Sequence, residues 1–571
     1  MSKDMKKHSL IILFLFLAGG VLQAQNDEES GDLSNQQVTV ITDYTPVISD
    51  AFRMETLPEI TDTSTVKPEF DYDIFSQKLN TSYNPDPLSA AQLKDEPKES
   101  LENGFARLAL GSKLMLNAEL YYNNTRDNDL NWGVRGLHHS GHGKLDNIVR
   151  DNVFAGYNKN LAGVHAKKMF TETTLKGSLN FTSNQHFFYG YNSVGVELPA
   201  DYIRPVNKSD FIDNEHMQRY NVMSVRTEAK SRYHKHEPLN YRVSLDYDFW
   251  FDAKQNQEHL MDFDLNLNKT IKKEIIGADA GLVLIPASFD ENTPMYINFS
   301  PYLAHNADNF KLKLGLHSKA RFEGDSTSYH FYPDVYIEHN IGDVILPYAS
   351  FSGNLQEQSM NSLSRTNPYI RDTLGVREVN EKQHIVLGFK GRISEEVQFN
   401  INGHYVKKDN QHFFVNDYGS LLRNRFEVAY SDVEMFRAYG ELNFNFGDEF
   451  GLRLYGKYRQ YIWLKDIEKA WHVPRVESGL YARFKVLPQL EIHADAFVLA
   501  DRYAPVLDDT QRVVSEKLDP VIDVNLGARY SISRQFSAFA QLNNLAGQNY
   551  EMWNQYPVYG FHVMLGMNYS F

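Results

Sequence analysis

The side chains that could do chemistry fall into three groups. His138, His139 and His142 lie within five residues of one another beside Gly141 and Gly143, and imidazoles at that spacing can hold a divalent metal. They match no established ligand spacing, so His138, His139 and His142 are weak metal candidates and a polar loop is the favoured reading. The second group is acidic. Asp246 with Asp248, and Asp262 with Asp264, stand two residues apart, which puts each pair on one face of a strand. Acid pairs serve catalysis or calcium binding, but they also serve as wetted side chains on the inside of a pore. The third group is basic or mixed, Arg242, Arg437, Glu441, Arg453, Lys457, Arg459, Arg483, Glu491 and Asp495, and these residues, with Asp246, Asp262 and Asp264, are the candidates to line the lumen of a barrel. No glycine-flanked serine, phosphate-cradling glycine loop or paired nucleophile and base accompanies them, so no catalytic constellation forms and no cofactor is expected.

The elements that carry these residues are strands. Tyr241, Val243, Leu245, Tyr247, Phe249 and Phe251 alternate with Arg242, Ser244, Asp246 and Asp248, and Met261, Phe263, Leu265 and Leu267 alternate with Asp262, Asp264, Asn266 and Asn268. The same alternation runs through Val397 to Tyr405, Phe436 to Phe446, Leu452 to Tyr458, Leu490 to Val498, Ile522 to Tyr530 and Phe561 to Phe571. Period two with one apolar and one charged side means a strand with one greasy face and one wet face.

Connections alternate in length. Tight turns at Arg392 to Glu395, Phe446 to Glu449, Leu487 to Gln489 and Ser533 to Gln535 are separated by longer polar stretches at Asn416 to Arg423, Leu464 to Trp471, Ala504 to Leu518 and Ala546 to Gly560. Ser183 to His216 and Gln356 to Glu381 are longer still. Short turns at one end and long loops at the other are the signature of an outer-membrane barrel. The expected fold is therefore all-β: a transmembrane antiparallel β-barrel of about 22 strands spanning 104–571. Strands are expected to begin near 104, 114, 128, 150 and 166 at one end of the chain and near 490, 519, 535 and 561 at the other.

Composition agrees. The chain has 571 residues, no cysteine, 13% aromatic residues and a net charge of −15. The absence of cysteine rules out disulfides, thiolate metal sites and a lipidated N-terminal cysteine. Its acidity argues against a nucleic-acid partner. Lys3, Lys6 and Lys7 ahead of an apolar Leu10 to Leu22 read as a signal peptide over 1–24, and its removal makes the net charge −17. Residues 25–103 carry Pro46, Pro58, Pro68, Pro85, Pro87 and Pro97 with many acids and no period, and are expected to be an extended periplasmic or lumen-filling segment. The β-prone island from Gln37 to Phe52 can add to a partner's sheet edge or pack against its own barrel.

The C-terminal sequence Gln541-Leu542-Asn543-Asn544-Leu545, Tyr550 to Gly560 and a last strand ending in Phe571 resembles the closing hairpin of TonB-dependent outer-membrane receptors. Phe105 to Gly111, Ala118 to Tyr121, His138 to Gly143, Phe188-Tyr189-Gly190 and Val38 to Phe52 look like the plug-less, receptor-like barrels of Bacteroidetes-type bacteria. The resemblance implies a 22-strand barrel in the outer membrane, and closure of the expected strands pairs the last one with the first, near Phe105 to Gly111. It also implies that Phe571 is read by the barrel insertion machinery, and that Val38, Thr39, Val40 and Ile41 correspond to the box through which such receptors contact TonB. The expected function is solute or nutrient passage, with outer-membrane lipid as surroundings and TonB or another outer-membrane protein as partner. The alternative is a non-transporting scaffold or binding subunit of an outer-membrane complex. An enzyme is not expected. A wide barrel would leak, so either residues 26–103 or a partner is expected to close the lumen.

Overall fold

The computed structural model describes residues 102–571 apart from 125–126, 128, 146–152, 191–215, 233–238, 291–292, 343, 421–422 and 509. The expected signal peptide and residues 25–101 of the expected N-terminal segment, with Val38 to Ile41, lie outside the described residues.

Twenty-two strands form one sheet. They are β1 Gly104–Gly111, β2 Met115–Asn123, β3 Leu130–Gly141, β4 Tyr157–Met169, β5 Thr173–Phe187, β6 Met217–Ser231, β7 Asn240–Asp252, β8 Gln257–Ile271, β9 Glu274–Leu284, β10 Met295–Asn306 and β11 Phe310–Glu323. The second half comprises β12 Ser326–His339, β13 Ile345–Gln356, β14 Val379–Arg392, β15 Val397–Asn416, β16 Phe426–Phe446, β17 Phe450–Leu464, β18 Val476–Leu487, β19 Leu490–Ala500, β20 Val521–Ser531, β21 Phe536–Asn543 and β22 His562–Ser570. Every strand pairs antiparallel with its sequence neighbours, and β22 pairs with β1 from Phe105↔Ser570 to Gly111↔Met564. Closure removes the free sheet edges that hydrocarbon cannot solvate.

The seam ends on a close approach. Phe571 and Gly104 exchange backbone hydrogen bonds of 2.9 and 2.7 Å, and a Cβ on Gly104 would lie 2.2 Å from the Phe571 ring. Only glycine leaves room for that ring.

The two faces sort as the alternation requires. Leu245 opposes Phe263 on one face, while Asp246 opposes Asp262 on the other. The apolar face is the outer one: Leu108, Leu110, Leu565 and Met567 are 56, 64, 61 and 59% exposed around the seam. Large aliphatic side chains left bare around a closed barrel belong in lipid, so the chain is an outer-membrane β-barrel.

Strands β15 and β16, of 20 and 21 residues, are about twice the ~10 residues needed to cross a bilayer. Their surplus stands beyond the membrane, at the end that carries the long loops. Register shifts between Ser352 and Asn354, Glu381 and Gln383, Lys408 and Gln411, and Glu434 and Met435 all fall in this tall quarter. Bulges bend a strand and raise its twist, which re-aims the side chains above them.

Three expectations are corrected. His138 to Gly141 form the end of β3 instead of a loop. Ala504 to Leu518 is largely a hairpin, Arg502–Leu507 paired with Val513–Leu518. The stretch from 357 to 378 contains a short helix, α1 Met360–Thr366, with Met360, Leu363 and Ile370 buried, so it is not simply a polar excursion. In addition, β4 and β5 begin seven residues later than expected. A two-rung outer pairing, Lys144↔Phe154 and Leu145↔Val153, occupies the stretch before β4.

Candidate functional site

The residues proposed to line the lumen share the inward face, and cross-strand register gathers them into two groups. On β6 to β9, Arg226 holds Asp246 at 3.3 Å and Asp248 at 2.8 Å. Asp246 lies directly opposite Asp262, Asp264 opposite Ser244, and Arg242 opposite Asn266. On β16 to β20, Arg453 meets Glu441 at 2.8 Å, while Lys457 and Arg459 meet Glu477 at 3.3 and 2.9 Å. Arg437 lies opposite Arg459 and contacts the His404 ring at 2.9 Å. Arg483 is opposite His493, Glu491 pairs with Arg529 at 2.9 Å, and Asp495 accepts from Asn525 at 2.8 Å. Sequence period places each residue on its face but not its partner, and for that reason Arg226, His404, Glu477 and Arg529 escaped notice.

The histidines do not converge. His138 and His139 are consecutive strand residues and point to opposite faces. His138 bonds to Asn160 at 2.7 Å and Ser140 at 3.0 Å, whereas His139 reaches Tyr157 at 3.2 Å and His142 stacks on Phe154. Among the described residues no group of three or more His, Asp or Glu could hold a metal ion.

At the loop end, segments from distant parts of the barrel meet in one buried cluster. It joins Phe188 and Tyr189 after β5, Tyr220 and Trp250 on β6 and β7, Tyr369 and Ile370 after α1, Phe426 on β16, and Tyr556 and Tyr559 before β22. Tyr369 and Tyr556 stack with ring centroids 3.7 Å apart, and Tyr189 stands edge-on to both. Each buried phenol finds a partner, as desolvation requires. Tyr559 accepts from the Gly143 amide at 2.9 Å and donates to the Ala155 carbonyl at 2.7 Å, Tyr189 donates to the Pro557 carbonyl at 2.9 Å, and Tyr556 donates to the Asn424 carbonyl. The glycines are sterically required: a Cβ on Gly143 would lie 2.7 Å from Tyr559, and one on Gly190 would lie 2.5 Å from Tyr556.

Polar contacts tie the segment after α1 to the wall. Asp372 takes Lys254 from the β7–β8 turn, Gln218 on β6 at 3.1 Å and Arg425 before β16 at 3.1 Å. Arg425 also lies over the Phe188 ring at 4.7 Å. Ahead of it, the Glu258 carboxylate accepts the Met360 and Asn361 amides at 2.7 and 3.1 Å. Beside Asp372 a cavity of about 390 Å³ is lined by Arg371, Thr373, Asp417, Gly419, Ser420 and Arg425.

Burial also shifts ionisable groups in the loops. It drops His472 to about 3, so the ring is neutral and its Nδ1 hydrogen donates to the Phe414 carbonyl at 3.0 Å. Burial lifts the Glu551 carboxyl to about 7, with Glu516 and Asp519 adding to the rise and the Gln555 amide and Arg502 opposing it. Arg502, itself buried, falls to about 10 and spends its Nη donors on the Met552 and Asp519 carbonyls at 3.2 Å.

No family model and no curated protein matches the chain. Solved structures do. The ferripyoverdine receptor of the outer membrane of Pseudomonas aeruginosa aligns with a TM-score of 0.60 at 12% identity, over 82% of this chain and 72% of that one. This is the barrel fold of outer-membrane receptors. The ferric-catecholate import receptor Fiu of E. coli K12 gives 0.60 at 9% identity over 82% of each chain. The FrpB iron transporter of Neisseria meningitidis gives 0.61 at 10% identity over 83% of this chain and 82% of that one. At such identities the likeness to these receptor barrels is one of fold.

Proposed function

We propose that this outer-membrane barrel passes a solute or nutrient through its lumen, and that its own outer loops close the mouth between passages. The observation that carries the reading is the continuity of a charged inward wall with a loop cluster that bridges distant strands above it. A charged wall serves a path through water, whereas a scaffold needs only the lipid-facing side and the rims. The names of the structural neighbours, receptors and a transporter for iron and its chelates, support nutrient uptake as the class and leave the solute open.

The loop cluster adds a closure beyond those expected from the N-terminal segment or a partner. Opening it separates Tyr369 from Tyr556 and frees Asp372 from its three donors, which a solute at the outer face can drive only by binding the open form better. Within this reading, residues 25–103 serve the inner end and Val38, Thr39, Val40 and Ile41 meet TonB or another outer-membrane protein. Phe571, paired with Gly104 at the seam, is the residue read during insertion.

The test is flux through proteoliposomes holding the full mature chain, with small neutral and charged solutes. Asp372→Ala is expected to raise flux severalfold over the unsubstituted chain. Flux that stays at the level of empty liposomes in both proteins contradicts passage and leaves the scaffold reading standing.

A further inference from the structure

We infer that the lumen wall is polarised from side to side and selects solutes that carry a positive and a negative group well apart, such as zwitterionic peptides. The inference rests on the passage reading and narrows its solute class.

Two arcs of wall differ in sign. On β7 to β9 the inward face presents Asp246, Asp248, Asp262, Asp264 and Asp279, with Arg242 as the basic residue among them and with Asp246 and Asp248 already held by Arg226 of β6. On β16 to β18 it presents Arg437, Arg453, Lys457, Arg459 and Arg483, with the acids Glu441 and Glu477 already held by basic neighbours. The central strands β8 and β17 are nine strands apart one way round the 22-strand ring and thirteen the other. The arcs therefore face each other across the bore.

Several of these charges are not neutralised locally. Among the described residues Asp262, Asp264 and Arg483 have no ion-pair partner, unlike Arg453 or Arg459. Asp246 opposite Asp262 is held by Arg226, so the like charge that crowds Asp262 is Asp264, two residues along on the same face. A cation that reaches Asp262 and Asp264 relieves that repulsion, and an anion that reaches Arg483 gains an unshared guanidinium.

Screening decides the shape of the solute. At physiological salt a charge acts over about 8 Å, so each arc governs only the water near it. A solute of one sign gains at one wall and loses at the other. A solute long enough to bring opposite ends to opposite walls gains at both.

Isothermal titration of the purified full mature chain carrying Asp372→Ala, which holds the mouth open, tests this at low salt with four hexapeptides blocked at both ends, each about 20 Å when extended. One has two Asp at one end and two Lys at the other; the rest are all-acidic, all-basic and neutral. The dipolar peptide is expected to bind tighter than the others by about fivefold or more, because screening is weakest there. Asp262→Asn with Asp264→Asn, and separately Arg453→Gln with Arg483→Gln, are expected to remove that preference. Heat-dependent gel mobility verifies that each variant is a folded barrel. Equal affinities, no binding by any peptide, or a preference that survives both double substitutions overturns the inference. Flux through Asp372→Ala liposomes, which needs no charge preference, shows separately whether the passage reading still stands.

Discussion

The Tyr559 hydroxyl accepts the Gly143 amide hydrogen at 2.9 Å although the two residues are 416 positions apart, and a side chain on Gly143 would collide with the same ring. One contact thus locks the loop before β22 onto the loop after β3. Tyr559→Phe leaves that buried N–H without its acceptor and the Ala155 carbonyl without its donor, a loss of about 1–3 kcal/mol. The expected result is faster amide exchange and protease cutting in 142–145, 153–156 and 544–561, with the strands still protected. Hydrogen exchange read by mass spectrometry checks it.

Gly190 makes the matching steric prediction. An added methyl would lie 2.5 Å from the Tyr556 ring, closer than carbon atoms pack, and would displace the Tyr369–Tyr556 stack. Gly190→Ala is expected to loosen the outer cluster by about 1–3 kcal/mol, the usual cost of overpacking. Gly177→Ala, where nothing lies within 4 Å of the new Cβ, is expected to change nothing. Equal protease sensitivity in the two variants contradicts the packing described above.

Glu551 sets a pH dependence. Its carboxyl is lifted from 4.5 to about 7 in the folded protein, so the native state holds the proton more firmly than the unfolded one. The stability it contributes is complete below about pH 4.5 and is lost as pH rises through 7. His472 acts in the opposite sense. With its pKa lowered from 6.5 to about 3, its contribution is present above pH 6.5 and is lost as pH falls toward 3. Comparison with Glu551→Gln isolates the first effect: between pH 5 and 8 the outer loops of the unsubstituted chain should lose exchange protection relative to that variant. Parallel pH profiles contradict the assignment.

Much of the architecture was legible because a barrel strand repeats one simple period. Asp246 and Asp262 announce their face by alternation alone, and the turns at Arg392 to Glu395 and Ser533 to Gln535 reveal parity. The seam between Phe105–Gly111 and the last strand lies where closure of the strands counted along the chain puts it. Long-range assembly was not legible. Nothing near Asp372 in sequence points to Lys254, Gln218 or Arg425, and the loop motifs at His142-Gly143, Phe188-Tyr189-Gly190 and Tyr556 to Tyr559 look independent until the fold brings them together. His138 and His139 misled for a local reason: a glycine-flanked histidine run reads as a loop, while its cross-strand partners Asn160 and Lys159 make it strand.

The proposed gating of the lumen by the segment after α1 is open to one decisive measurement, because the sequence contains no cysteine. Ile370 and Phe426 face each other in an isolated parallel bridge, with the Arg371 amide bonded to the Phe426 carbonyl at 2.9 Å. Ile370→Cys with Phe426→Cys, placed in the Asp372→Ala background, gives a single disulfide between that segment and β16. Solute flux in proteoliposomes is predicted to be low when the bond is oxidised and to rise severalfold on reduction. Equal flux in the two states, with the disulfide verified by mass, would contradict gating by this segment.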